Sequence, residues 1–227
     1  MHQLIDKKSR IIIYLITFLI LSTTNIKVVG NNKKYLSKID KVNVTGLSVY
    51  DNQKIVNELI NNLIYKNIFN INKEEIHEII SKYNVVQEYN IKKIYPSKLN
   101  IKIKPTQFIA KTLDNNNELL VGSNGKLISN KKYDKKLPHI FGEFNSKKFL
   151  NFKKNIYRSN FNFVEFKHIF LYPSNRWDIL TVNDVLIKLP KKDILKSLNL
   201  AHKIINNDNF KFNKIIDLRI SSQIIIK

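Results

Sequence analysis

The 227-residue sequence contains no cysteine. That excludes a disulfide framework, thiol catalysis and any thiolate metal site, and leaves burial alone to hold the fold. Arginine is nearly as scarce. Arg10, Arg158, Arg176 and Arg219 are the only four, so the clustered bidentate groups that clamp phosphates or read bases are missing. The histidines, His2, His77, His139, His168 and His202, are scattered, with no pair at the i, i+4 spacing of a helical metal site. No nucleophile stands at a recognisable spacing from a base. Gly122 and Gly125 lack the strand and Lys-Ser/Thr helix start of a phosphate loop, and Glu74, Glu75 and Glu78 are explained as negative charge at the start of a helix. These absences argue against an enzyme, a resident metal, a cofactor or a small-molecule substrate.

Lysine, by contrast, is abundant, and the formal charge is +21. Such a charge invites a nucleic-acid reading. Lysine, asparagine and isoleucine, however, share A/T-rich codons, so base composition accounts for much of it, and nucleic acid is not the expected partner. With 43% hydrophobic and 11% aromatic residues, the chain has enough apolar side chains for one or two packed cores.

Lys7, Lys8 and Arg10 directly precede the apolar run Ile11 to Leu21. This run is shorter than the roughly 20 residues of a spanning helix, so a membrane anchor must extend to about Val29, with Asn25 and Lys27 at the far interface. The organisation expected is a short cytoplasmic head (1–10), an anchor (11–29), a polar tether (30–38) and an exported body. A cleaved signal peptide is the competing reading, although no small-x-small pair stands where a peptidase would cut.

In the body, Ile39, Val42 and Val44 ending at Gly46 predict a strand and its turn. Ile55, Leu59 and Leu63, beside Val56, Ile60 and Ile64, predict a helix capped by Asp51. Asn72 with Glu75 resembles a capping box opening a second helix through Ile76, Ile79, Ile80 and Tyr83. Tyr89 and Ile91, then Leu99, Ile101 and Ile103, alternate with polar residues as two strands joined by Tyr95-Pro96-Ser97-Lys98. The order is β-α-α-β-β. Beyond it lie short strands at Phe108 to Leu113, Leu119 to Gly122, Lys126 to Ser129, Phe166 to Tyr172 and Trp177 to Val182. Helices are expected around Phe149 to Ile156 and Ile194 to Ile205, and Ile215 to Ile226 as a last strand.

Strand-Gly, two helices and a strand ending in an aromatic-Pro turn resemble a POTRA domain. The remaining motifs make the chain similar to the bacterial cell-division family FtsQ/DivIB. Leu99-x-Ile101-x-Ile103 leading to Ala110 resembles the family's L-x-V-x-I-x-E-x-x-P-x-A, with Pro105 and Phe108 in place of the Glu and Pro. Leu119 to Gly125 resembles its L-I-D-x-x-G hairpin, with Gly122 in the Asp position. Leu137-Pro138-His139-Ile140-Phe141-Gly142, Arg176-Trp177-Asp178-Ile179, Ile187-Lys188-Leu189-Pro190 and Ile216-Asp217-Leu218-Arg219 follow in the family's order.

The resemblance implies an α+β protein: one N-terminal transmembrane helix, a POTRA domain over 39–107, and a mixed, mainly antiparallel β domain over 108–227. It also implies a non-enzymatic scaffold of the division septum, with its N-terminus cytoplasmic and its body periplasmic. The partner would be an FtsB/FtsL complex added to the terminal strand, with Arg219, Ile220, Ser222 and Ile224 as contacts. An alternative is an exported POTRA-bearing assembly or secretion protein, for whose usual barrel this chain has no room. A weaker one is a lysine-driven polymer-binding module, whose binding salt would abolish.

Overall fold

The computed structural model describes residues 7–23, 38–64, 66–114, 117–129, 133, 135–210, 212–220 and 223–227. Helix α1 (Lys7–Thr23) is described by itself. Among the described residues no helix is long and apolar enough to cross a membrane. Residues 24–37, which include the far end of the expected anchor and most of the tether, lie outside the described residues.

The body is α+β, and the first half runs β1 (Lys41–Thr45), α2 (Val49–Leu63), α3 (Lys73–Ser81), β2 (Val86–Ile94), β3 (Lys98–Pro105). Alternation sets the sheet. Val42 and Val44 of β1 and Leu99, Ile101 and Ile103 of β3 are buried, while the residues between them are not. The order is β1-β3-β2, with β1 parallel and β2 antiparallel to β3. Ile55, Leu59 and Leu63 of α2 and Ile76, Ile79 and Ile80 of α3 complete this core. Each fully buried aliphatic side chain contributes on the order of 2 kcal/mol.

Two local expectations are corrected. The cap of α2 is Ser48, whose hydroxyl oxygen accepts from the Asp51 N–H at 3.1 Å; Asp51 sits one turn inside, accepting the Ser48 hydroxyl proton at 2.7 Å. Asn72 does precede α3, but it makes no side-chain cap bond. Glu75 is drawn away by Lys66, at 2.8 Å, and the box does not form.

The second half is a nine-stranded mixed sheet ordered β12-β11-β10-β9-β8-β7-β4-β5-β6. In chain order its elements begin β4 (Phe108–Asp114), β5 (Asn117–Gly122), β6 (Leu127–Ile128), β7 (His139–Phe141) and α4 (Ser146–Arg158). Then come β8 (Phe166–Leu171), β9 (Trp177–Thr181), β10 (Leu186–Lys188), α5 (Ile194–Ile205), β11 (Ile215–Asp217) and β12 (Ile225–Ile226). Helices α4 and α5 bury Phe149, Phe152, Ile156, Leu198 and Ala201 in the core shared with the sheet. Trp177 belongs to this core, stacked on Phe152 with ring centroids 4.3 Å apart. Two expectations change here. The Leu137 to Gly142 segment supplies an unforeseen strand, β7, parallel to both β4 and β8. Ile215 to Ile226 is not one strand but two, β11 and β12, folded back antiparallel on each other.

The two halves meet at the β5–β6 turn. Asn124 donates its amide to the carbonyls of Asn84 and Val86, both at 2.9 Å, and Asn84 donates to the Leu127 carbonyl at 2.9 Å. Lys126 reaches the Ser81 carbonyl at 2.7 Å, and Gln87 accepts from Ser123 and Thr106.

Candidate partner-binding site

Strand β11 is tied parallel to β10, and β12 closes over its other side, with Lys227 and Ile215 exchanging backbone bonds at 2.9 and 3.0 Å. Ile215 and Lys227 are therefore a hydrogen-bonded pair. The next pair, Ile216 and Ile226, is not, and the Ile226 N–H and carbonyl face outward. Among the described strands none pairs with that outer side.

The connection from β11 to β12 carries the residues expected at the site. Arg219 and Ile220 sit in a bend one residue beyond β11, after Leu218, and Ile224 directly precedes β12, so none of the three lies on a strand. Ser222 lies outside the described residues. The chain turns because Arg219 folds back on Asp217: its Nε donates at 2.8 Å and its Nη2 at 2.6 Å, while its backbone N–H also bonds that carboxylate at 3.1 Å. These Arg219 bonds hold the Asp217 carboxyl below its ordinary value, against the opposing effect of burial, and Asp217 in turn raises Arg219.

Arg219, Ile220 and Ile224 line one cleft of about 550 Å³ together with Arg176, Lys196 and Leu200. Arg176 is oriented by the buried Asp178 at 3.2 Å and stacks over the Tyr172 ring, 4.3 Å from its centroid. The contributions of Lys196 and Leu200 were missed in the sequence, because Ile194, Leu198, Ala201 and Ile205 explain α5 as a core helix without assigning its other face. The cleft combines apolar walls with basic groups, chemistry that suits a peptide carrying both apolar and acidic side chains.

His139 and His168, far apart in sequence, become cross-strand partners on β7 and β8. A buried ring nitrogen of each, Nε2 of His139 and Nδ1 of His168, has no hydrogen-bond partner, and burial lowers the pKa of His139. Phe141 and Phe170 stack beside them at 5.3 Å. Among the described residues no group of three or more His, Cys, Asp or Glu side chains is placed to hold a metal.

Fold and site together define a class: a two-core α+β protein whose C-terminal sheet ends in a short open edge beside a basic cleft. Residues 37–104 match the family model for the FtsQ-type POTRA domain, and residues 112–219 match that for the C-terminal region of cell division protein FtsQ/DivIB. The chain belongs to the FtsQ/DivIB family of cell-division proteins. It is also similar to a solved structure, the major extracytoplasmic domain of the trans isomer of the cell division protein DivIB from Geobacillus stearothermophilus. That match has 12% identity and a TM-score of 0.35, covering 45% of this chain and 92% of the other. No curated protein matches the sequence.

Proposed function

We propose that this chain is a non-enzymatic, single-pass inner-membrane scaffold of the division septum. The anchor would run from Ile11 to Val29, with the N-terminus cytoplasmic. Residues 39–107 and 108–227 would form the periplasmic POTRA and β domains. An FtsB/FtsL-like complex adds a strand to the outer side of β12, and Arg219, Ile220, Ser222 and Ile224 contact it beside the cleft. The observation that carries this reading is the open outer side of β12 next to Arg219, because outward N–H and C=O groups are a template for another chain. The edge is short, which fits a partner that also needs side-chain contacts in the cleft for affinity.

Deleting Ile215 to Lys227 is too blunt a test, since Ile216 and Leu218 are core residues. Ile226→Pro is sharper. It removes the outward donor while leaving the Ile215–Lys227 bonds, whose groups face the other way. A chain carrying an N-terminal fluorescent tag should form a midcell band and co-purify with FtsB/FtsL-like partners. The proline variant should keep its membrane outline and lose both. A uniform outline for the parent chain would end the septal reading, and release of the tag from the body would show that the apolar head is cleaved.

A further inference from the structure

We propose that the end of the three-stranded sheet at which the chain enters is a docking surface for an anionic lipid bilayer. This rests on the reading of the chain as membrane-anchored. The β1–β3 pairing sets Lys41 opposite Lys98, and the β2–β3 pairing sets Ile94 opposite the same Lys98. The start of β1 and the Tyr95–Ser97 turn therefore share one end. The α2–α3 loop joins them: Lys38 bridges Asn67, the Ile39 N–H donates to the Lys66 carbonyl at 3.1 Å, and the Asp40 N–H donates to the Ser97 carbonyl at 3.1 Å.

On this end Phe69 and Tyr95 stack with centroids 4.9 Å apart, yet they remain 63% and 56% exposed. Pro96 is exposed beside them. Two large rings presented together to solvent are unfavourable for an isolated domain, and an aromatic body with a polar hydroxyl suits the headgroup level of a bilayer. The rim is basic. Lys38, Lys41, Lys66 and Lys98 stand against Asp40 and Glu75, and Glu75 is already held by Lys66. Lys41 and Lys98 are exposed like charges directly opposite each other, a repulsion that a bound lipid phosphate relieves. With the anchor ending at Val29, only eight residues, 30–37, separate it from Lys38, a reach of at most about 30 Å, so this end can settle on the bilayer that holds the anchor.

The absence of cysteine gives a clean probe. The full chain carrying Asn70→Cys, labelled with a polarity-sensitive fluorophore, is reconstituted in vesicles of phosphatidylcholine with or without phosphatidylglycerol and floated on a density gradient. The expected result is a blue shift and loss of acrylamide quenching in the phosphatidylglycerol vesicles, weaker in phosphatidylcholine alone. A label at Tyr50→Cys, exposed in the first turn of α2 after β1 has run to the other end of the sheet, should stay fully quenched. Phe69→Ser with Tyr95→Ser should abolish the shift while the chain still floats, and so should the independent pair Lys41→Glu with Lys98→Glu. If the chain floats but the Asn70→Cys label stays as quenched as the control, the docking surface is wrong and the anchor stands. A chain that does not float overturns both. Shielding that survives both variant pairs, or that occurs only when membrane proteins are added, also overturns the lipid assignment.

Discussion

Arg219 clamps the carboxylate of Asp217, two residues before it, through Nε at 2.8 Å and Nη2 at 2.6 Å. The contact bends the chain out of β11 and presents Ile220 to solvent, 55% exposed, at the mouth of the cleft. It also makes Asp217 a reporter. Because its folded pKa is depressed, its contribution to stability is present above the ordinary carboxylate value and is lost as pH falls through the lowered one. In Arg219→Ala the side-chain hydrogen bonds and the guanidinium charge disappear, while burial and the bond from the backbone N–H of residue 219 remain, so the Asp217 carboxyl should titrate higher than in the parent chain. A side-chain carboxyl NMR titration reads this; an unchanged Asp217 would mean that the clamp is not formed in solution.

Among the described residues, Gly46 and Gly142 should be the least replaceable glycines. Both have positive φ, 114° and 103°, and a β-carbon would fall 1.8 Å from the Ile103 oxygen and 2.0 Å from the Leu171 oxygen respectively. Neither backbone can yield without breaking a strand. Alanine at either position should cost on the order of 3 kcal/mol or more. In each variant, hydrogen exchange should rise first in the core that contains the substituted glycine.

At the junction, Asn124→Ala removes two hydrogen bonds to the preceding half and leaves the Asn84 and Val86 carbonyls short of a donor. A loss of about 1–2 kcal/mol is expected. Faster amide exchange around Asn84 and Leu127, with both cores still protected, would bear this out. Exchange unchanged across the junction would show that the other contacts suffice.

Burial keeps His139 neutral by lowering its pKa, so below its ordinary value of 6.5 the unfolded chain binds a proton that the folded one resists. Stability should therefore fall with pH through that range. His139→Leu removes the unpartnered Nε2 and with it this dependence. Its gain in melting temperature over the parent chain should be larger at about pH 5.5 than at about pH 7.5; equal gains would contradict the assignment.

Regular periodicity made much of this fold legible. Ile55, Leu59 and Leu63 announce a helix face by their spacing, and Leu99, Ile101 and Ile103 a half-buried strand by alternation; all six are core residues. Pairing was not legible. β7 is three residues long and earns its place by lying between β4 and β8, a tertiary fact with no local signal. The break in Ile215 to Ile226 was hidden for a related reason. β-branched residues favour extension throughout, while the bend is set by one Asp217–Arg219 contact and by the return of β12. The cleft draws on α5 and on Arg176, just before β9, as well as the terminal segment, so motifs read singly identified Arg219 and Ile220 but not the wall opposite them.

The most direct test of the account is hydrogen–deuterium exchange on the full chain with and without a purified FtsB/FtsL-like complex from the same cells. Strand addition predicts new protection at the Ile226 amide and its neighbours in the β11–β12 segment, absent in Ile226→Pro. Protection confined to the three-stranded sheet, or none along Ile215 to Lys227, would contradict a partner held at the terminal edge.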